Sequence, residues 1–304
     1  MRYPSKLLLF GEHTINQGSQ ALAIPYPPFG GTWAYATNAH HRQQHLQAFA
    51  KWLEDWPARG GSSEGIDLQQ FKKELNQGLY FDSNIPSGYG LGSSGAVCAA
   101  IYDRFGPARS IPNDALQMAA LRQTLAQLER YFHGSSSGTD PLVCYLAQPI
   151  RLYPNGGAEL VSIPKHGPLV FFLLDTHIPR QTGPLVQFFL ERCKQPAFTE
   201  QVRTVWSASA NQAISAFLNE DWEDLFEAVA RISRVQLAFF ADMIPEPFHQ
   251  VWEVGLQHDL YRLKLCGAGG GGFILGCTFD WPTTRGALSG YHCRKAYPVD
   301  AVML

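Results

Sequence analysis

The residues best suited to chemistry lie in Ile85-Pro-Ser-Gly-Tyr-Gly-Leu-Gly-Ser-Ser-Gly95, which runs straight into the apolar segment Ala96 to Phe105. Gly88, Gly90 and Gly92 let the backbone approach a ligand closely and take dihedrals closed to other residues. Leu91, Ser93, Ser94 and Gly95 carry the stretch into a helix start, where unpaired N–H groups and roughly half a positive charge stabilise an anion. That combination is a cradle for phosphate. It differs from the P-loop, since no lysine follows Gly95 before the helix has run its course, and a nucleotide bound here needs a cation from elsewhere in the chain.

Two plainer readings compete with it. Gly90-Leu-Gly-Ser-Ser-Gly95 has the spacing of a dinucleotide fingerprint, but that fingerprint follows directly on a buried strand, and here Asp82-Ser-Asn-Ile-Pro-Ser87 intervenes. A structural glycine turn is the other, glycine and serine being ordinary loop residues.

The remaining polar candidates are scattered. Lys6 opens the apolar run Lys6-Leu-Leu-Leu-Phe10, a short buried strand, and Glu12 and His13 follow in Gly11-Glu-His13. Alone they read as a solvated strand end; beside the glycine stretch, Lys6 is the kind of distant cation the cradle requires. Glu129 sits one residue round from Leu128 on a helix whose apolar face is Leu121, Leu125, Leu128 and Phe132, starting after Pro112-Asn-Asp. Alone it is a solvated helix charge. Asp140 closes the small-residue loop His133-Gly-Ser-Ser-Ser-Gly-Thr-Asp140, and alone it could simply cap a helix over Pro141 to Leu146.

Other elements must hold these groups in place. A strand over Gly30 to Thr37 and a helix over His41 to Trp56 precede the glycine stretch; Trp33, Tyr35 and Trp52 could stack on adenine, although such aromatics are more often core. Arg59 to Gly65 is a polar loop, and Pro154-Asn-Gly-Gly157 turns a hairpin. Leu169 to Asp175 is a buried strand, and Thr199 to His258 reads as helical with apolar stripes at 3 to 4 spacing. Cys266-Gly-Ala-Gly-Gly-Gly-Gly272 is a second glycine-rich turn; its flanks are apolar, so it packs against backbone or ligand and is not a linker. A boundary on Pro164-Lys-His-Gly-Pro168 divides domain 1–165 from domain 166–304.

Composition narrows the function. At 304 residues with 45% hydrophobic content, the chain has enough apolar material for a core in each of two domains. A net charge of −2 gives no bulk attraction to nucleic acid or an anionic membrane, and no run reaches the roughly 18 apolar residues of a membrane span. The six cysteines have no CxxC pair, and the N-terminus lacks a long apolar signal, so the expected compartment is the reducing cytoplasm.

Taken together, three stretches in order resemble the signature motifs of the GHMP kinase superfamily: Lys6 to Gly18 the first, Pro86 to Gly95 the phosphate loop, and Lys264 to Phe273 the third. Gly11-Glu-His13, the eleven-residue step from Glu129 to Asp140, His133-Gly-x-x-Ser-Gly-x-Asp140, and Thr176-x-x-Pro-Arg-x-Thr-x-x-Leu-Val186 resemble the mevalonate kinase branch. The chain departs from that pattern at Thr14-Ile-Asn-Gln17, at Ser136 where a proline is usual, and at Gly95 where an alanine is usual.

The resemblance implies an α+β, two-domain GHMP kinase fold with the active site in the interdomain cleft. It implies a kinase transferring the γ-phosphoryl group of ATP to a small alcohol, with mevalonate as the foremost acceptor. Another acceptor (phosphomevalonate, a sugar, an amino-alcohol) is the alternative, and a catalytically silent ligand-binding relative a further one. By the same resemblance ATP lies along Gly88, Gly90, Leu91, Gly92, Ser93, Ser94 and Gly95, and Ser94 and Glu129 hold Mg2+. Asp140 serves as base, Lys6 neutralises charge on the transferring group, and Glu12, His13, Thr182 and Gly270 line the acceptor pocket. Partners are the alcohol and ATP, without nucleic acid or membrane, and a homodimer is left open.

Overall fold

The computed structural model of the chain describes residues 1–36, 40–56, 65–180 and 182–298, with the side chains of residues 40–42 and 182 outside that description. Most of the loop read at Arg59 to Gly65 therefore lies outside the described residues. Contacts divide the chain into two compact units: Met1–Lys6, Pro25–Pro86 and Leu91–Gln148 form the first, and Leu7–Ile24, Ser87–Gly90 and Pro149–Leu304 the second. The Pro164 to Pro168 segment lies within the second.

Strands β1 (Arg2–Phe10) and β2 (Ala21–Tyr35) each contribute to both units. The first unit continues with α1 (His40–Glu54), α2 (Leu68–Asn76), β3 (Leu79–Ser83), α3 (Ser93–Phe105), α4 (Ala115–His133) and α5 (Thr139–Leu146). β3 pairs antiparallel with the far end of β2, Gly31 opposite Ser83 and Tyr35 opposite Leu79. Phe49, Phe71, Leu79, Ile101, Phe105, Leu125 and Leu128 are buried in this unit, with the Phe71 and Phe105 rings 4.7 Å apart. Burying a side chain of that size contributes about 1.5 to 3 kcal/mol. The α4 start is fixed by Asp114, whose carboxylate accepts the Gln117 N–H at 2.8 Å, a cap typically contributing ~1 kcal/mol. Trp33 packs edge-on against Phe81 and Phe105, and Trp52 stacks on Phe49 and Trp56, so these rings belong to aromatic clusters.

The second unit adds β4 (Ile150–Leu152), β5 (Ala158–Leu160), β6 (Val170–Asp175), α6 (Thr182–Arg192), α7 (Pro196–Gln201), α8 (Ala208–Leu218), α9 (Trp222–Phe239), α10 (His249–Gln257), β7 (Arg262–Leu265), β8 (Phe273–Thr278), α11 (Trp281–Ala287) and β9 (Cys293–Tyr297). β4 and β5 form the expected hairpin around Asn155, and β4 pairs with Ala21–Ala23 of β2, giving a sheet ordered β1-β2-β4-β5 with β3 also on β2. A second, antiparallel sheet runs β7-β8-β6-β9. Its strands bury Leu173, Leu174, Leu263 and Leu275, and α8 and α9 pack nearby with Trp206, Phe217, Val229 and Ile232 inside. The long helical reading over Thr199 to His258 is broken in two places. The chain turns at Asn219 to Asp221, where Asp221 caps α9, and again at Phe240 to Phe248, where Pro245 and Pro247 remove backbone donors. Among the described residues no helix is long and apolar enough to cross a membrane.

Candidate active site

In the first unit, β1 delivers Lys6 to the start of α5. The Lys6 ammonium stands 2.8 Å from Asp140 Oδ1, with the lysine almost wholly buried and the Asp140 side chain 30% exposed. Asp140 lies in the first turn of α5, where the helix dipole favours a carboxylate. The Lys6 N–H donates to the Leu91 carbonyl at 2.9 Å, tying the end of the glycine stretch to the strand that carries the lysine. Leu91 itself is buried, so its part is to anchor the loop.

Gly92 caps α3 in the left-handed region, φ 72°, and no side chain caps that helix. Its first N–H groups therefore keep their capacity for an anion. A Cβ on Gly92 would stand 3.3 Å from Asp140 Oδ2 and 3.5 Å from Lys6 Cβ, so the α3 start, the acid and the amine form one cluster. α3 begins at Ser93, earlier than the apolar residues alone suggest, because Gly92 supplies the turn into it.

Ser94 and Glu129 meet in the same unit. Glu129 lies four residues after Leu125 on the inward stripe of α4, and only 5% of it is exposed, so it is not a solvated helix charge. Its Oε1 accepts the Ser94 hydroxyl at 2.9 Å and its Oε2 the Ser136 hydroxyl. His133 Nε2 lies 3.0 Å from the same Ser94 oxygen. Burial pushes the Glu129 carboxyl up to about 7, helped by the Asp140 carboxylate and opposed by the two serine hydroxyls and Lys6. Ser136, the departure from the usual proline, thus supplies a donor to this carboxylate.

The donor set fits a magnesium ion. Ser94 and Glu129 offer hard oxygens beside a second carboxylate, that of Asp140. Among the described residues no group of three or more histidine, cysteine or carboxylate side chains could hold a metal by itself. An ion that keeps waters and takes phosphate oxygens as its other ligands needs only the Ser94 and Glu129 oxygens from the protein.

In the second unit, Arg180 links the two glycine-rich stretches. Its backbone N–H donates to the Gly88 carbonyl at 3.1 Å, and its guanidinium donates to the Gly269 carbonyl at 2.9 Å and the Gly271 carbonyl at 3.3 Å. A Cβ on Gly90 would fall 1.9 Å from Arg180 Nη2, so only glycine leaves room for the guanidinium there. In sequence, Arg180 stands in the family-like segment Thr176 to Val186, right after Pro179 and five residues beyond the buried strand that ends at Asp175, which is the signal it offers. Gly270 faces Leu185 and donates to the Met243 carbonyl at 2.6 Å, while Gly272 packs on the Tyr89 backbone. Thr182 begins α6, and its side chain lies outside the described residues.

Glu12 and His13 are both buried. Glu12 Oε1 accepts from Lys264 at 2.9 Å and from the Gln236 amide at 2.8 Å, and the Leu265 N–H donates to Gln236 Oε1 at 2.8 Å. Glu12 Oε2 has no hydrogen-bond partner among the described residues. Burial raises the Glu12 carboxyl above its ordinary value, against the pull of Lys264. His13, at φ 60°, donates from Nε2 to the Ala268 carbonyl at 3.1 Å, since a carbonyl can only accept, and its ring lies 4.7 Å from that of Phe189. Burial pushes the imidazole down to about 4, with Arg180 and Lys264 adding repulsion, so His13 is neutral at physiological pH. Of the residues singled out by sequence, Lys6, Gly92, Ser94, Gly95, Glu129 and Asp140 come together in the first unit. Gly88, Gly90, Glu12, His13 and Gly270 lie in the second.

Comparison with known proteins bears on the family and the fold. Residues 59–148 match the model of the GHMP kinases N terminal domain. The mevalonate kinase of Dictyostelium discoideum is 22% identical, over 90% of this chain and 85% of its own length. Among solved structures, the L. major mevalonate kinase in complex with R-mevalonate superposes with a TM-score of 0.65 at 14% identity, covering 98% of this chain and 96% of that one. The Streptococcus pneumoniae phosphomevalonate kinase in complex with phosphomevalonate and AMPPNP superposes with a TM-score of 0.66 at 16% identity, covering 97% and 99%. At these identities the solved structures establish a shared fold. Residues 59–148 thus match a GHMP kinases N terminal domain, and the chain as a whole has the fold of the solved GHMP kinases.

Proposed function

We propose that this chain transfers the γ-phosphoryl group of ATP to the hydroxyl of mevalonate, in the cytoplasm. The carrying observation is the 2.8 Å pair of Lys6 and Asp140 beside the uncapped glycine start of α3. The backbone N–H groups from Gly92 to Gly95 hold the nucleotide's phosphates, and the Lys6 ammonium offsets charge that builds on the transferring group. Asp140, through its partly exposed carboxylate, takes the proton of the acceptor hydroxyl as that oxygen bonds to phosphorus and ADP leaves. Ser94 and Glu129 are the residues that would hold Mg2+, which supplies neutralising charge to the phosphates. Glu12, His13, Thr182 and Gly270 are assigned to the acceptor side by their positions in the motifs. The mevalonate kinase relative and the fold shared with an enzyme solved on R-mevalonate support this acceptor.

The fold shared equally with a phosphomevalonate kinase favours a second reading, the same reaction on a phosphorylated alcohol. A coupled ADP-release assay with mevalonate, phosphomevalonate and a panel of sugars and amino-alcohols separates the two, run with magnesium and in EDTA. The expected result is magnesium-dependent release with mevalonate at the highest kcat/KM. A higher value with another alcohol reassigns the acceptor, and no release with any alcohol despite ATP binding ends the catalytic reading.

A further inference from the structure

Ser94 Oγ has two recorded partners, Glu129 Oε1 at 2.9 Å and His133 Nε2 at 3.0 Å, but a serine hydroxyl carries a single hydrogen. As the structure stands, both contacts can be satisfied in a chain, His133 donating to Oγ and Oγ donating to Glu129. That chain cannot persist if Oγ and Oε1 both turn a lone pair toward one cation, because the hydrogen would then lie between two ligand atoms. Swinging Glu129 aside would break the hydrogen bond that Ser136 donates to its other oxygen. The hydrogen is the part that can move, by rotation about the serine Cβ–Oγ bond, and the other nitrogen or oxygen recorded on Oγ is His133 Nε2.

We propose that His133 is a positioning residue for the divalent cation: Nε2 accepts the Ser94 hydroxyl hydrogen, so that Ser94 Oγ and Glu129 Oε1 can face the ion together. This rests on the assignment of the ion to Ser94 and Glu129. The imidazole must then carry its own hydrogen on Nδ1, which the exposed position at the end of α4 leaves open to solvent. His133 is bonded to the ligand and not to the ion, the relation in which loss of the outer partner weakens metal binding by about 10- to 100-fold.

The test titrates Mn2+ into the full chain saturated with a non-hydrolysable ATP analogue, following free Mn2+ by electron paramagnetic resonance, with analogue affinity measured separately in EDTA. His133→Leu removes the acceptor, and His133→Gln restores one, its amide oxygen reaching about as far as Nε2. The expected result is Mn2+ affinity lowered about tenfold in His133→Leu and restored in His133→Gln, with analogue affinity in EDTA unchanged in both. Wild-type Mn2+ affinity in His133→Leu, while Ser94→Ala loses it, overturns the role of His133 and leaves the ion at Ser94. Failure of His133→Gln to restore binding overturns the hydrogen-bond account, and unchanged Mn2+ binding in both Ser94→Ala and Glu129→Gln removes the ion from this site altogether.

Discussion

Gly95 lies so close to Asp140 that a Cβ built on it would stand 2.8 Å from the Asp140 carbonyl carbon and 2.9 Å from its Cβ. Both helices begin there, α3 at Ser93 and α5 at Thr139, and the missing side chain lets their first turns touch. Gly95→Ala therefore has to push α5 and its carboxylate away. The expected effect is a loss of about 1 to 3 kcal/mol in stability by thermal unfolding. It should come with a fall of about tenfold or more in kcat, because a small misplacement of a reacting group is expensive. Undiminished turnover would show that the position of Asp140 is not critical.

Asp140→Asn keeps the shape and removes the proposed proton acceptor. Turnover should drop ~100-fold or more in the ADP-release assay while ATP binding by calorimetry stays within about twofold of wild type. Lys6→Met should lower turnover as well, through lost charge stabilisation. A variant pair in which only nucleotide affinity changes would assign both residues to binding and not to the transfer.

The Glu12 and Lys264 side chains are each 1% exposed and 2.9 Å apart. Lys264→Met strands a buried carboxylate and is expected to destabilise the protein by about 3 to 5 kcal/mol in urea unfolding. Glu12→Gln combined with Lys264→Met leaves no unpaired charge, so the double variant should be more stable than the Lys264→Met single. Additive losses would mean that the two side chains do not depend on each other.

His13 imposes a pH dependence of definite sign. Its imidazole falls from an ordinary 6.5 to about 4 on folding, so between those values the unfolded chain binds the extra proton. Stability from this residue is full above pH 6.5 and is lost as pH falls toward 4, by on the order of 3 kcal/mol. His13→Asn, which tolerates the left-handed backbone, should flatten that window in melting curves taken from pH 4 to 7. An unchanged slope would place the acid sensitivity in another group.

Local chemistry made part of this molecule readable from sequence alone. The hairpin at Pro154 to Gly157 and the turn between β7 and β8 announced themselves by glycines between apolar flanks, and both formed. β2 did not announce itself. Pro25, Pro27 and Pro28 look like a break, yet β2 runs continuously from Ala21 to Tyr35, because β4 pairs with Ala21–Ala23 and β3 with Gly31–Tyr35, leaving the prolines between the two partners. The meeting of Lys6 with Asp140 came only through motif resemblance, since no local rule joins residues so far apart. Glu129 and Lys264 were invisible as buried groups, because a charged residue reads as solvated until its partners are placed. Arg180 and His133 are not legible from residue type, because what they do in the structure is hydrogen-bond to backbone carbonyls or to another side chain.

Arg180, clasping the carbonyls of Gly269 and Gly271 while its own amide holds Gly88, makes the conformation of two glycine-rich segments a property of the folded chain. Glycine loops are the parts of a protein with the most freedom to lose, and here that loss is incurred once, during folding. On the proposed reading, a phosphate-bearing molecule arriving at Ser87–Gly90 would meet backbone already set in place, and its affinity would not be diminished by having to order the loop first.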